Sequence, residues 1–177
     1  MAKSQRVKGA AFEREIARLF AEDMPGADVR RGLGQTRSGS DCADVETPRF
    51  WVECKRRKRG NVRAALAQAS EAAVGGRAPL AILKDDRKPA IASMYLDDWH
   101  DFVVEICQVG VVPRVSRTVK RGKLPRVRDA LDRAISDRRP GTIACAEIWD
   151  ENRPPFIVFL LDDFREFVRE WWRNAYR

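Results

Sequence analysis

The sequence predicts an α/β protein whose second half repeats part of its first. Amphipathic helical stretches alternate with short apolar runs of strand length. One short apolar hairpin, residues 44–55, carries an acid at its start and an acid, a spacer and a lysine at its end. Segment 48–105 lies over segment 113–170 without a gap, with 20 of 58 positions identical.

Residues 9–22 read as an amphipathic helix with Phe12, Ile16, Leu19 and Phe20 on one face and Glu13 beside that stripe. Pro25-Gly26 ends it. Val29 is a short strand candidate, followed by a Gly- and Ser-rich loop over 32–40. Residues 45–47 and 50–52 read as two strands joined at Pro48-Arg49. A basic run, Lys55-Arg56-Arg57-Lys58-Arg59, leads to a helix over 62–74 that stops at Gly75-Gly76. Strands at 80–83 and 90–95 flank a polar turn, and a helix begins near Leu96-Asp97 with Asp97 or Asp98 as its cap. The order is α, β, β, β, α, β, β, α.

The chain has 177 residues, enough to bury one good core or two small ones. Its net charge of +8 points to a polyanionic partner. Arginine, which suits bidentate phosphate contacts, outnumbers lysine 26 to 8. No apolar run is long enough for a membrane span, and residues 1–6 lack a signal-peptide core. Cys42, Cys54, Cys107 and Cys145 have no CxxC spacing and read as free thiols in a reducing cytoplasm. His100 is the single histidine and reads as a surface residue, which argues against histidine-rich zinc sites and histidine-based hydrolysis. Neither a Walker P-loop nor GxGxxG is present, so no nucleotide cofactor is expected.

The hairpin is where chemistry concentrates. Side chains alternate along a strand, so Glu53 and Lys55 share one face and Cys54 the other. A turn centred on Pro48-Arg49 puts Asp44 opposite Glu53. Two facing carboxylates repel, and a hard cation relieves the repulsion, since Mg²⁺ takes one or two carboxylates plus water and phosphate oxygens. Lys55 reaches the same cleft, where it could hold a nucleophilic water or offset phosphate charge.

The repeat reads as an internal duplication that has lost this site. Lys55 falls on Lys120, but Asp44 falls on Val109, Glu53 on Thr118 and Gln68 on Arg133. No second copy of the Glu13 helix is visible. The second segment is therefore expected to be non-catalytic, packing on the first or binding DNA. The apolar side of the last helix, with Phe164, Phe167, Val168, Trp171 and Trp172, reads as core or dimer contact.

Residues 8–15 with Glu13, then Ala43-Asp44-Val45, then Glu53-Cys54-Lys55, together resemble the PD-(D/E)XK nuclease superfamily. The likeness is closest to archaeal-type and phage Holliday-junction resolvases and covers roughly residues 6–105. Ala43 stands where the family name has proline. The resemblance implies a mixed central sheet flanked by helices, with a nuclease core at 1–106 and a degenerate partial repeat of 45–105 at 107–177. It implies that Asp44, Glu53 and the Cys54 main-chain carbonyl bind Mg²⁺ (Mn²⁺ substituting), that Glu13 completes the acidic cluster directly or through water, and that Lys55 positions the attacking water. Gln68 matches a polar residue often found near such sites. Asp41 is an alternative ligand to Asp44, which the spacing and the following apolar strand favour. Arg30, Arg31, Arg37, Arg56, Arg57, Lys58, Arg59 and Arg63 would contact DNA, chiefly its phosphates.

The expected activity is a structure-specific endodeoxyribonuclease, acting in the cytoplasm of a bacterium or phage-infected host. Resolving a junction needs two nicks, so one site per chain implies a homodimer. The alternatives are a nuclease for flaps, nicked duplex or a specific site, and a non-catalytic DNA-binding protein derived from a nuclease.

Overall fold

The structure, a computed structural model, describes residues 2–32, 42–122 and 126–176. It is an α/β fold with mixed strand pairing; eight strands and five helices lie among the described residues. The chain forms two compact units, Met1–Ala90 and Ile91–Arg177. No helix among the described residues is long and apolar enough to cross a membrane.

The first unit holds α1 (Ala2–Asp23), β1 (Arg30–Arg31), β2 (Val45–Glu46), β3 (Phe50–Arg57), α2 (Val62–Ala72) and β4 (Ala78–Asp85). α1 begins earlier than the apolar pattern suggested, because its stripe is needed only where it meets the sheet. Phe12, Ile16 and Phe20, one turn apart, are fully buried with Met24, just past the helix end. Phe20 meets Phe50 edge to face, with centroids 6.3 Å apart, so α1 packs on the Phe50 face of β3.

β3 is the central strand of this unit. It pairs antiparallel with β2 and parallel with β4, and Phe50 to Cys54 are buried throughout. That explains its continuous apolar run: a strand covered on both faces shows no alternation. Asn61 caps α2 by accepting from the Ala64 N–H at 3.2 Å. Ala69 of α2 then packs with Trp51 and Ala43, on the other face of β3.

The second unit holds β5 (Ile91–Tyr95), α3 (Leu96–Gln108), β6 (Val115–Arg121), α4 (Val127–Ser136), β7 (Ile143–Asp150), β8 (Arg153–Leu160) and α5 (Leu161–Ala175). Its strand order is β5-β8-β7-β6. β5 and β7 flank β8 antiparallel, and β6 runs parallel to β7. The unit boundary falls ahead of β5, whereas the sequence placed a division after residue 106. β5 and α3 group with β8 and α5, a non-local pairing that no local pattern encodes. Asp97 and Asp98 lie in the first turn of α3, where they favour the helix dipole, but no side chain caps that helix. Phe164, Phe167, Val168, Trp171 and Trp172 on α5 are buried, forming core. His100 is exposed, and the four cysteines are free thiols.

Positions matched by the sequence repeat adopt the same local structure. β3, α2, β4 and α3 start at Phe50, Val62, Ala78 and Leu96. Their counterparts β6, α4, β7 and α5 start at Val115, Val127, Ile143 and Leu161, each at the offset of the repeat. The β3–β4 register, Phe50 against Ala78, becomes Val115 against Ile143 in β6–β7. Among the described residues, the two non-glycine positions at positive φ, Arg87 (60°) and Asn152 (61°), occupy matching turns. Gly76 (70°) and Gly141 (71°) match as well.

Candidate metal and phosphate site

The hairpin has the register read from the sequence. Val45 pairs with Val52 and Glu46 with Trp51, so the next positions outward are Asp44 and Glu53. Thr47 closes the turn: its Oγ1 accepts from the Phe50 N–H at 2.8 Å and donates to the Phe50 carbonyl at 3.0 Å. β2 is only two residues long because Asp44 leaves the ladder. Its N–H still donates to the Val52 carbonyl at 3.0 Å, but its Oδ2 takes the Cys54 N–H at 2.8 Å. Asp44 thus brackets Glu53 from both sides along the main chain.

Glu53 is almost fully buried, at 5% exposure, and its Oε1 accepts from Lys55 Nζ. Burial pushes the Asp44 carboxyl up to about 6, and the Glu53 charge pushes the same way. The Cys54 N–H and, more weakly, Lys55 oppose this, while Glu13 adds to the rise. The Cys54 thiol is held well above its ordinary range, first by burial and then by the Asp44, Glu13 and Glu53 charges.

Glu13 is placed differently from the other acids. It projects from α1, which packs on the Phe50 face of β3, whereas alternation puts Glu53 and Lys55 on the Trp51 face. Its Oε2 accepts from Arg31 Nε at 2.7 Å. Among the described residues no three His, Cys, Asp or Glu side chains come together in a way that could hold a metal ion. The donor set is therefore two carboxylates, Asp44 and Glu53, beside the Cys54 main chain. That fits a hard cation completed by water and phosphate oxygens, and does not fit a closed all-protein site. A cation there would also relieve the Asp44–Glu53 repulsion, which after burial is the second cause of the raised Asp44 carboxyl.

Gln68 lies on the exposed side of α2, away from its buried Val62, Ala65, Leu66 and Ala69. It makes no hydrogen bond with Asp44, Glu53 or Lys55. Arg57, Lys58 and Arg59 are exposed, while Arg56 and Arg63 are half-buried. Arg30 is engaged within the fold, donating to Glu46 at 2.9 and 3.0 Å, as is Arg31 with Glu13. Arg37 and Asp41 lie outside the described residues.

Gly32 is a site residue that the sequence reading treated only as loop. Its N–H donates to the Asp44 carbonyl at 2.9 Å, and a Cβ there would lie 1.9 Å from the Ala43 carbonyl oxygen. The signal was a glycine directly after the short strand β1, where another backbone passes at contact distance.

Comparison of the chain with protein families, curated proteins and solved structures finds no match.

Proposed function

We propose that the first unit carries the active site of a metal-dependent DNA endonuclease, structure-specific and similar to the Holliday-junction resolvases of the PD-(D/E)XK superfamily. The observation that carries this reading is Asp44 bonded to the main chain on both sides of Glu53 at the mouth of the β2–β3 hairpin, with Lys55 ion-paired to Glu53.

Asp44 and Glu53 would hold Mg²⁺, with the Cys54 carbonyl as a third donor and Glu13 acting through its charge or an intervening water. Bound there, Mg²⁺ would supply Lewis acidity toward a phosphate oxygen and offset the charge developing on it. Asp44 must shed its proton to serve as a ligand, so proton and Mg²⁺ compete for it and activity should fall as pH is lowered. Lys55 keeps its ammonium in the cleft through Glu53, where it orients the attacking water and stabilises the phosphorane-like charge. The water oxygen bonds to phosphorus, the bond to one sugar oxygen breaks, and that oxygen leaves with a proton. Arg57, Lys58 and Arg59 extend from the end of the same strand and meet flanking phosphates without reading bases.

The test is Mg²⁺-dependent cleavage of a four-way junction, linear duplex and single strand by wild type, Asp44→Asn and Lys55→Ala. The junction should be cut fastest, and both variants should be inactive. Activity surviving both substitutions sinks the site; equal cutting of junction and duplex sinks the structure-specific part.

A further inference from the structure

The pairing of β5 with β8 carries a symmetry that the sequence repeat alone does not require. Ser93 pairs with Val158, which is its own counterpart in the repeat. The flanking pairs are reciprocal about that point. Ala92 opposes Phe159 and Met94 opposes Ile157, so each position meets the other's counterpart. Ile91 with Leu160 and Tyr95 with Phe156 obey the same rule.

The helices that follow these strands do the same. Trp99 and Phe102 of α3 correspond to Phe164 and Phe167 of α5. Trp99 meets Phe167 at 5.4 Å and Phe102 meets Phe164 at 6.1 Å, a reciprocal exchange of partners. Reciprocal contact, in which i touches the counterpart of j and j the counterpart of i, is the mark of an isologous two-fold interface between identical subunits. Here both sides belong to one chain, and the interface is dry: Phe102, Val158, Phe159 and Phe164 are each 0% exposed.

We infer that β5 with α3 is a self-pairing surface that this chain satisfies internally with β8 and α5, so that the protein, in place of the homodimer expected from the resolvase likeness, works as a monomer that nicks one strand of branched DNA per encounter and does not resolve a junction by paired cuts. The monomer part stands on the pairing register alone; the single-strand part rests on the nuclease reading above. A homodimer built through this surface has nothing left to pair with. The second half lacks the acids for a second cut, carrying Thr118 where Glu53 stands and Val109 where Asp44 stands.

The experiment uses the full chain in two arms. Light scattering across a hundredfold range of concentration should give the 20.2 kDa monomer throughout. Hydrogen exchange over the same range should show Ala92, Ser93 and Met94 amides protected to the same degree at every concentration. A mass twice the monomer's overturns the monomer part, and protection that appears only as protein is concentrated overturns the internal pairing. In the second arm, supercoiled plasmid carrying an extruded cruciform, which presents a four-way junction, should with Mg²⁺ convert fully to nicked circle before linear product forms. Linear product appearing without a nicked precursor overturns the single-strand part. Plasmid left wholly intact overturns the single-strand part together with the nuclease reading, and the mass arm still decides the pairing.

Discussion

β3 and β6 occupy matching positions, yet one is sealed and the other open. β3 lies between β2 and β4, and its Val52 is fully buried. Among the described residues β6 pairs with β7 alone, and its outer edge has nothing equivalent to β2. The residues follow from that difference. Val52 and Ile82, both buried, become Arg117 and Glu147, joined at 2.9 Å. Glu147 stays buried and also accepts from the Trp149 indole, while Arg117 reaches solvent. Charges along an open edge discourage pairing with other strands. Asp44 reaches the main chain beside Glu53 because the chain before β2 lies along β3, and β6 has no such segment among the described residues.

The largest expected effect comes from giving β3 what β6 has. Glu53→Thr removes one of two carboxylates and leaves Lys55 without its partner, so Mg²⁺-dependent cleavage should fall by about 10²–10³-fold in a single-turnover assay. Glu53→Gln should fall similarly with less loss of stability. Retention of activity in both would show that β3 is no more specialised than β6.

Next is Gly32, which holds Asp44 against the strand. Gly32→Ala must displace the Ala43 carbonyl, at a cost of about 1–3 kcal/mol in thermal or urea unfolding. Cleavage should drop more than tenfold with it. An unchanged melting curve and rate would mean that the β1 approach does not position the acid.

The Asp44 carboxyl makes a prediction whose sign runs against ordinary intuition. Its folded pKa, about 6, lies above the ordinary 3.8, so its contribution to stability is present below about 3.8 and lost as pH rises through about 6. At pH 7 the ionised group therefore destabilises the metal-free protein. Asp44→Asn, which keeps an acceptor for the Cys54 N–H, should raise the melting temperature at pH 7 by a few degrees while abolishing cleavage. Mg²⁺ should stabilise wild type above pH 6 and leave the variant unmoved. A lower melting temperature for Asp44→Asn at pH 7 would contradict the electrostatic reading.

The smallest effect belongs to β6. Arg117→Val strands the buried Glu147 with only the Trp149 donor and should cost about 1–2 kcal/mol in urea unfolding. Adding Glu147→Ile restores the apolar pair of β3 and β4 and should recover most of that loss. Failure to recover would show that the ion pair contributes more than edge protection.

Much of the site was legible because its information is local. The Pro48-Arg49 turn and the apolar residues on either side fix the register of Val45 against Val52 and Glu46 against Trp51, with Asp44 and Glu53 next outward. Alternation along one strand then places Lys55 beside Glu53. What could not be read depends on distant segments. Arg30 and Arg31 are ion-paired to Glu46 and Glu13 on other elements, contacts that no spacing in the sequence reveals. Glu13 lies in the right order along the chain, yet its helix packs on the Phe50 face, which no spacing reveals. The internal repeat was plain in the sequence, but the reciprocal pairing of β5 with β8 emerges only in the fold.

The central claim is that one of two corresponding strands does chemistry, and the matched lysines test it most directly. Single-turnover cleavage of a four-way junction should be measured with Mg²⁺ for wild type, Lys55→Ala and Lys120→Ala. Lys55→Ala should lose about 10²-fold or more, and Lys120→Ala should stay within about threefold of wild type. Equal losses at the two lysines, or a larger loss at Lys120, would contradict it.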